Sequence, residues 1–155
     1  MIVLSANVVG CTIFAAFTSF TGVLETDVHN AVIVIFEQMM QKPPMEKFLA
    51  GIMAGWLIAA LVWMLPPSEG NEFIVITLMT YLIAAGDINH VVAGTVEALF
   101  LVFEGRTDLV AAVFSLFLPT LLGNVTGGTV LLAVIACGGF ATKSTARNSR
   151  SVADL

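Results

Sequence analysis

Three observations predict an all-α protein that crosses a membrane several times. First, 58% of its 155 residues are hydrophobic and only 11% are charged, with a mean hydropathy of +0.98. A water-soluble domain of this size needs a largely polar surface and has no room to hide that much apolar area. Second, the apolar residues gather in long runs separated by short polar or proline-containing stretches. Third, the run from Phe73 to Phe103 is interrupted at its centre by Gly86-Asp87-Ile88-Asn89-His90. About 20 helical residues cross a bilayer core, so a run of about 30 overshoots by about 15 Å if it stays straight. A helix broken in mid-membrane resolves the excess length. It also places an Asp and a His where ionisable groups are costly and tend to be functional.

Four membrane-length segments are expected, at about residues 2–24, 48–65, 73–103 and 109–141. Ile2 to Leu24 is continuously apolar and starts without a basic leader or an early small-residue cleavage site, so it does not read as a signal peptide. Ala31 to Met40 is apolar but too short to cross, which suggests an interfacial or re-entrant helix. Pro43 and Pro44 end it, because proline cannot continue a helix. Phe48 to Leu65 is closed by Pro66-Pro67-Ser68-Glu69-Gly70, and Glu104 to Asp108 forms a polar turn after the interrupted run. The last run holds Pro119 and the Gly123 to Gly128 stretch. Residues 142–155 form a polar tail, rich in Ser, Arg and Lys, that is expected to be disordered. Its three bases, Lys143, Arg147 and Arg150, balance Lys42, Lys47 and Arg106 on the opposite side, and their clustering favours a cytoplasmic tail.

Gly51 and Gly55 make one GxxxG pattern and Gly123 and Gly127 another. Such patterns let helices approach closely in lipid, either within a protomer or between protomers. The net charge of −5 offers no basic patch, which argues against nucleic acid as a partner. Cys11 and Cys137 lie in apolar runs without metal-ligand spacing and read as small core residues. No nucleotide, zinc or nucleophile motif is present, so no cofactor, metal site or enzymatic activity is expected.

The polar residues with chemistry to offer lie in the interrupted run. On a continuous helix Asp87 and His90 share a face, with Asn89 between them and Glu97 further along. A break near Gly86 and Gly94 frees backbone groups that need partners. Asn124, in Gly123-Asn124-Val125-Thr126-Gly127, is placed to supply them. His29 follows the first span and reads as a solvated loop residue. Asn7-Val8-Val9-Gly10 echoes Asn124-Val125-Thr126-Gly127, as in transporters built from inverted halves. Trp56 and Trp63 read as lipid-facing or packing residues.

These stretches resemble the formate/nitrite transporter family, especially its divergent bacterial inner-membrane branch. Ala6 to Gly10 resembles the start of the family's third transmembrane helix. Gly51 to Met64 is similar to the fourth, Gly86 to Gly94 to the broken fifth, and Leu118 to Gly128 to the sixth. The resemblance implies an aquaporin-like protomer in a homopentamer of the inner membrane. It implies passive or proton-coupled transport of small monovalent anions such as formate, nitrite or hydrosulfide. His90 takes the place of the family's pore histidine, and Asn124 that of the asparagine holding the broken loop. A bare anion is costly in an apolar constriction, and a nearby proton donor lowers that cost.

Some positions depart from the family pattern. Asn89 stands before His90 where Glu is common, so Asp87 is expected to partner the histidine instead. Gly55 stands before Trp56 where Asn is usual. The vestibule lysine falls at Met39, which leaves Lys42, Lys47 and Glu97 as candidate vestibule charges. The chain matches four of six expected spans and reads as N-terminally truncated, without the first helix and the broken second. The competing expectation is a non-conducting scaffold, paired through its GxxxG faces, or an inactive transporter fragment.

Overall fold

A computed structural model describes the backbone of residues 2–153 and the side chains of residues 2–135 and Cys137. The described regular structure is entirely helical. In chain order it comprises α1 (Ile2–Phe20), α2 (Thr26–Gln41), α3 (Pro44–Met64), a 3₁₀ turn (Pro66–Ser68), α4 (Glu72–Ala85), α5 (Val91–Phe103), α6 (Leu109–Ala111), a π-helical stretch (Ala112–Phe117) and α7 (Leu118–Ala153).

Three segments are long and apolar enough to cross a membrane: Ile2–Phe20, Pro44–Met64 and Leu109–Ile135. The interrupted run forms two apolar half-helices, α4 of 14 residues and α5 of 13, each too short to cross alone. Pro44 takes the first helical position of α3, where its missing N–H costs nothing, so that helix starts four residues earlier than its apolar run suggests. α1 stops at Phe20, before Thr21 and Gly22. α7 is helical through most of the polar segment expected to be disordered. Ala, Lys and Arg there favour helix, and no proline intervenes. The side chains of that segment lie outside the described residues.

α3 and α7 form the tightest pair, and their two GxxxG patterns face each other. A methyl group on Gly51 would sit 2.8 Å from the Thr120 carbonyl oxygen, and one on Gly123 would sit 2.9 Å from Gly51 Cα. Methyls on Gly55 and Gly127 would run into the backbones of Asn124 and Ile52. The glycines therefore join helices within the chain, which removes the faces through which a scaffold was expected to pair.

α2 lays an apolar stripe on α5. Ile33 is buried with Ala15, Phe100 and Leu101, and Val32, Phe36 and Met40 pack around them. His29 is therefore not a solvated loop residue. It sits on α2, half-buried, with Nε2 3.2 Å from Glu104 Oε2 and its ring 5.4 Å from that of Phe100. Ser19 of α1 hydrogen-bonds the other oxygen of Glu104, so one carboxylate joins the ends of three helices.

Large apolar side chains cover the exterior, among them Phe14 and Phe17 on α1, Trp56 and Trp63 on α3, and Phe73 and Tyr81 on α4. Such a surface suits lipid and not water. Cys11 is buried as expected, whereas Cys137 is exposed.

Candidate functional site

The five residues from Gly86 to His90 leave the helix between α4 and α5. Asp87 turns the chain with φ of +51°, among the described residues the single left-handed conformation outside glycine. Asp tolerates that region better than most residues do. His90 is extended, at φ −93° and ψ 131°, and caps α5. Asp87 and His90 are thus not neighbours on one helical face, as their spacing suggested. A turn joins them, and both still line one cavity. Gly94 stays helical, packed 3.0 Å (from its ideal Cβ) against Leu116.

A broken helix must find partners for its freed amides and carbonyls. The amides of Gly86, Asp87 and Ile88 bond back to Leu82, Ala84 and Ile83 at 3.0, 3.2 and 3.1 Å. Asn124 serves the far side of the gap. Its Oδ1 accepts from the Val91 amide at 3.3 Å, and its Nδ2 donates to the Asn89 carbonyl at 3.2 Å. The same nitrogen lies 3.1 Å from the Gly51 carbonyl and 3.0 Å from that of Thr120. Three carbonyls around one end of the amide fix which end carries nitrogen. Asn124 therefore ties the break to both α3 and α7.

The cavity beside the break measures about 440 Å³. Asp87, Asn89, His90 and Glu97 supply its polar wall, and Ile35, Met39, Ile58 and Leu116 much of its apolar wall. The His90 ring makes no hydrogen bond or ion pair with any described residue. Asn89 is only 4% exposed, yet neither atom of its side-chain amide has a partner among the described residues. Glu97 Oε2 is buried and likewise unpartnered. Buried polar atoms normally find partners, so two such residues, Asn89 and Glu97, at one cavity point to polar contents there. α5 also begins here, and a helix N-terminus carries partial positive charge.

The charged residues sort differently from expectation. Asp87 does not partner His90; its carboxylate pairs with Lys42 in the α2–α3 connection. Lys47 is not a vestibule charge. It is completely buried, and Nζ donates to the carbonyl of Met40 at 2.9 Å, the carbonyl of Ser115 at 2.9 Å and the hydroxyl of Ser115 at 3.1 Å. Pro119 explains its target, since a proline leaves the carbonyl four residues earlier without its helical amide. That carbonyl belongs to Ser115, in the π-helical stretch. Glu97 lines the same cavity as His90. A signal for this was present in the sequence, because a spacing of seven from His90 returns a helix to the same face.

Asn7 shows no counterpart of the Asn124 contacts among the described residues. It is exposed, and a methyl on Gly10 would meet nothing within 4 Å. Among the described residues no group of His, Cys, Asp and Glu is arranged to hold a metal ion.

Comparison with known proteins agrees with this architecture. The chain is 38% identical over 135 residues to the inner membrane protein YfdC of Escherichia coli strain K12, a match covering 87% of this chain and 44% of that protein. It is 30% identical over 135 residues to the uncharacterized transporter YwcJ of Bacillus subtilis strain 168, covering 83% of this chain and 52% of that one. The chain spans about half the length of these curated relatives. No solved structure matches it. The sequence profile of the formate/nitrite transporter family matches residues 1–138, and the chain belongs to that family.

Proposed function

We propose that the chain forms the polar centre of a transmembrane path for small monovalent anions of the formate, nitrite or hydrosulfide type. The observation that carries the reading is the cavity at the helix break, lined by the His90 ring and by an Asn89 amide that has no partner among the described residues, beside the N-terminus of α5. An anion leaving water loses hydration that apolar walls cannot replace. N–H donors and a helix N-terminus offset part of that loss, and a protonated imidazole offsets more. In this reading His90 contacts the anion or lends it a proton, Asn89 offers a second donor, and Asn124 holds the loop in place. Lys42 attracts anions only where Asp87 releases it. The family and the name of the Bacillus subtilis relative support transport over enzymatic chemistry. The Escherichia coli relative supports an inner-membrane location. The lipid bilayer is then the solvent, the polar tail is cytoplasmic, and protomers associate as a homopentamer, each with its own path.

The test is anion uptake into liposomes holding the purified protein, across an imposed pH step, for the parent and for His90→Ala. Uptake of formate, nitrite or hydrosulfide that disappears in His90→Ala, with folding intact, is the expected result. Absence of uptake by well-folded parent protein would overturn the reading.

A further inference from the structure

Glu97 has no place in an anion path as so far described, and its surroundings sharpen the difficulty. It lies on α5, seven residues beyond His90, and lines the same cavity. Seven helical residues span about 10 Å, so the carboxyl stands about two turns beyond the break on the same face. Its Oε2 is shielded from solvent and bonded to no described residue. The charged and titratable groups around it are Asp87 and His90 on the broken helix and Lys42 from the α2–α3 connection. Lys42 is already paired with Asp87. Ile35 and Met39 of α2 and Leu116 of the π-helical stretch add only apolar surface.

The Asp87–Lys42 pair is neutral, so an ionised Glu97 would leave the cavity net negative whenever His90 is uncharged. A monovalent anion would then meet a like charge in a partly dehydrated space, where repulsion is strongest. A protonated Glu97 removes that repulsion and adds an O–H donor.

We propose that Glu97 is the proton-binding site that couples anion passage to proton movement. The proposal rests on the anion-path reading and extends it. The Glu97 carboxylate takes one proton from a hydronium ion on the entry side: an O–H bond of hydronium breaks, water is released, and a neutral carboxyl forms. The anion enters the neutral cavity. The anion and the proton then leave on the far side, and Glu97 returns to the carboxylate. One proton and one anion move together, no net charge crosses, and no oxidant or other reactant is needed.

The experiment measures anion and proton uptake together in liposomes, at several pH values and imposed voltages, for the parent, Glu97→Gln and Glu97→Asp. The parent is expected to take up about one proton per anion, faster at acid pH and insensitive to voltage. In Glu97→Gln the proton-to-anion ratio is expected to fall toward zero, with uptake flat in pH and newly voltage-dependent, and Glu97→Asp is expected to restore coupling. A Glu97→Gln protein with the parent's ratio and pH profile would overturn the proposal. Infrared difference spectra between acid and alkaline samples give a readout independent of transport. A protonated-carboxyl band that titrates in the parent and is missing in Glu97→Gln upholds the proton site, and a parent without such a band overturns it. If the parent moves no anion, the transport reading falls, and the infrared band decides Glu97 by itself.

Discussion

The Nζ of Lys47 lies 2.9 Å from the carbonyl oxygen of Ser115, the carbonyl that Pro119 deprives of its helical amide. Two distant parts of the chain thereby solve each other's problem. The π-helical stretch gains a donor for an orphaned acceptor, and a completely buried ammonium gains three acceptors for its three N–H bonds. The Met40 carbonyl, in the last turn of α2, is one of the three, so the same lysine caps that helix. Lys47→Met is expected to lower stability by about 1.5–3 kcal/mol, the range for hydrogen bonds to a charged group. Lys42→Met, at a more exposed ion pair, is expected to cost less than about 1 kcal/mol. Reversible unfolding in mixed micelles compares the two, and equal costs would contradict the assignment of Lys47 as the internal tie.

Much of this arrangement was legible in the sequence, and Lys47 shows where legibility stopped. The break at Gly86 to His90 followed from the length of an apolar run and its polar interruption. Asn124 followed from the need of an amide for partners. Both arguments are local or use a single known cost. Which cation reaches Ser115 is a tertiary matter, because Lys42 and Lys47 differ only in where the α2–α3 connection turns. The glycine pairs were readable as close contacts but not as contacts within one chain. Glu97 was expected among the vestibule charges; its spacing of seven from His90 carried a further signal, yet only the packing of α2 beside α5 makes that face a cavity wall. Asn7-Val8-Val9-Gly10 looked like a second copy of the Asn124 motif, yet open space surrounds Gly10.

Asn124→Ala is expected to destabilise the protein by about 2 kcal/mol or more, because it strips partners from the Val91 amide and from the carbonyls of Asn89, Gly51 and Thr120 together. Asn124→Asp keeps the acceptor for Val91 and places a second oxygen against three carbonyls, so it is expected to do no better than alanine. Amide hydrogen exchange at Val91 reads the local effect, and protection unchanged in Asn124→Ala would contradict the role.

The glycines divide into two kinds. Gly55→Ala is expected to push α3 from α7, since its methyl would run into the Asn124 backbone, with a loss of about 1–3 kcal/mol from overpacking. Gly10→Ala meets nothing within 4 Å. It is expected to be neutral or to gain about 0.5–1 kcal/mol from helix propensity. Thermal unfolding in detergent separates them, and similar melting temperatures would sink the close-packing account.

The left-handed backbone at Asp87 makes its own prediction. Asp87→Gly and Asp87→Ala both lose the Lys42 partner, but only alanine keeps a Cβ in the unfavourable region. Glycine is expected to be the more stable of the two by about 1 kcal/mol. Chemical denaturation of both variants beside the parent checks this, and alanine at or above glycine would contradict the turn geometry.

Asn89 offers the sharpest contrast between stability and transport. Its side chain is buried, its amide is unpartnered among the described residues, and it lines the cavity beside His90. A buried amide without partners costs about 1–3 kcal/mol, so nothing in the fold itself favours it there. Asn89→Leu keeps the branched shape and the number of side-chain heavy atoms, though its two methyls are bulkier, and removes that cost. The variant is therefore expected to unfold at a higher temperature than the parent and, on the proposed anion path, to move anions more slowly, since an apolar side chain offers a dehydrated anion nothing. Stabilisation with loss of flux is what a site retained for transport predicts. Loss of stability in Asn89→Leu would instead mean that the amide serves the fold, and normal flux would mean that anions do not pass this wall.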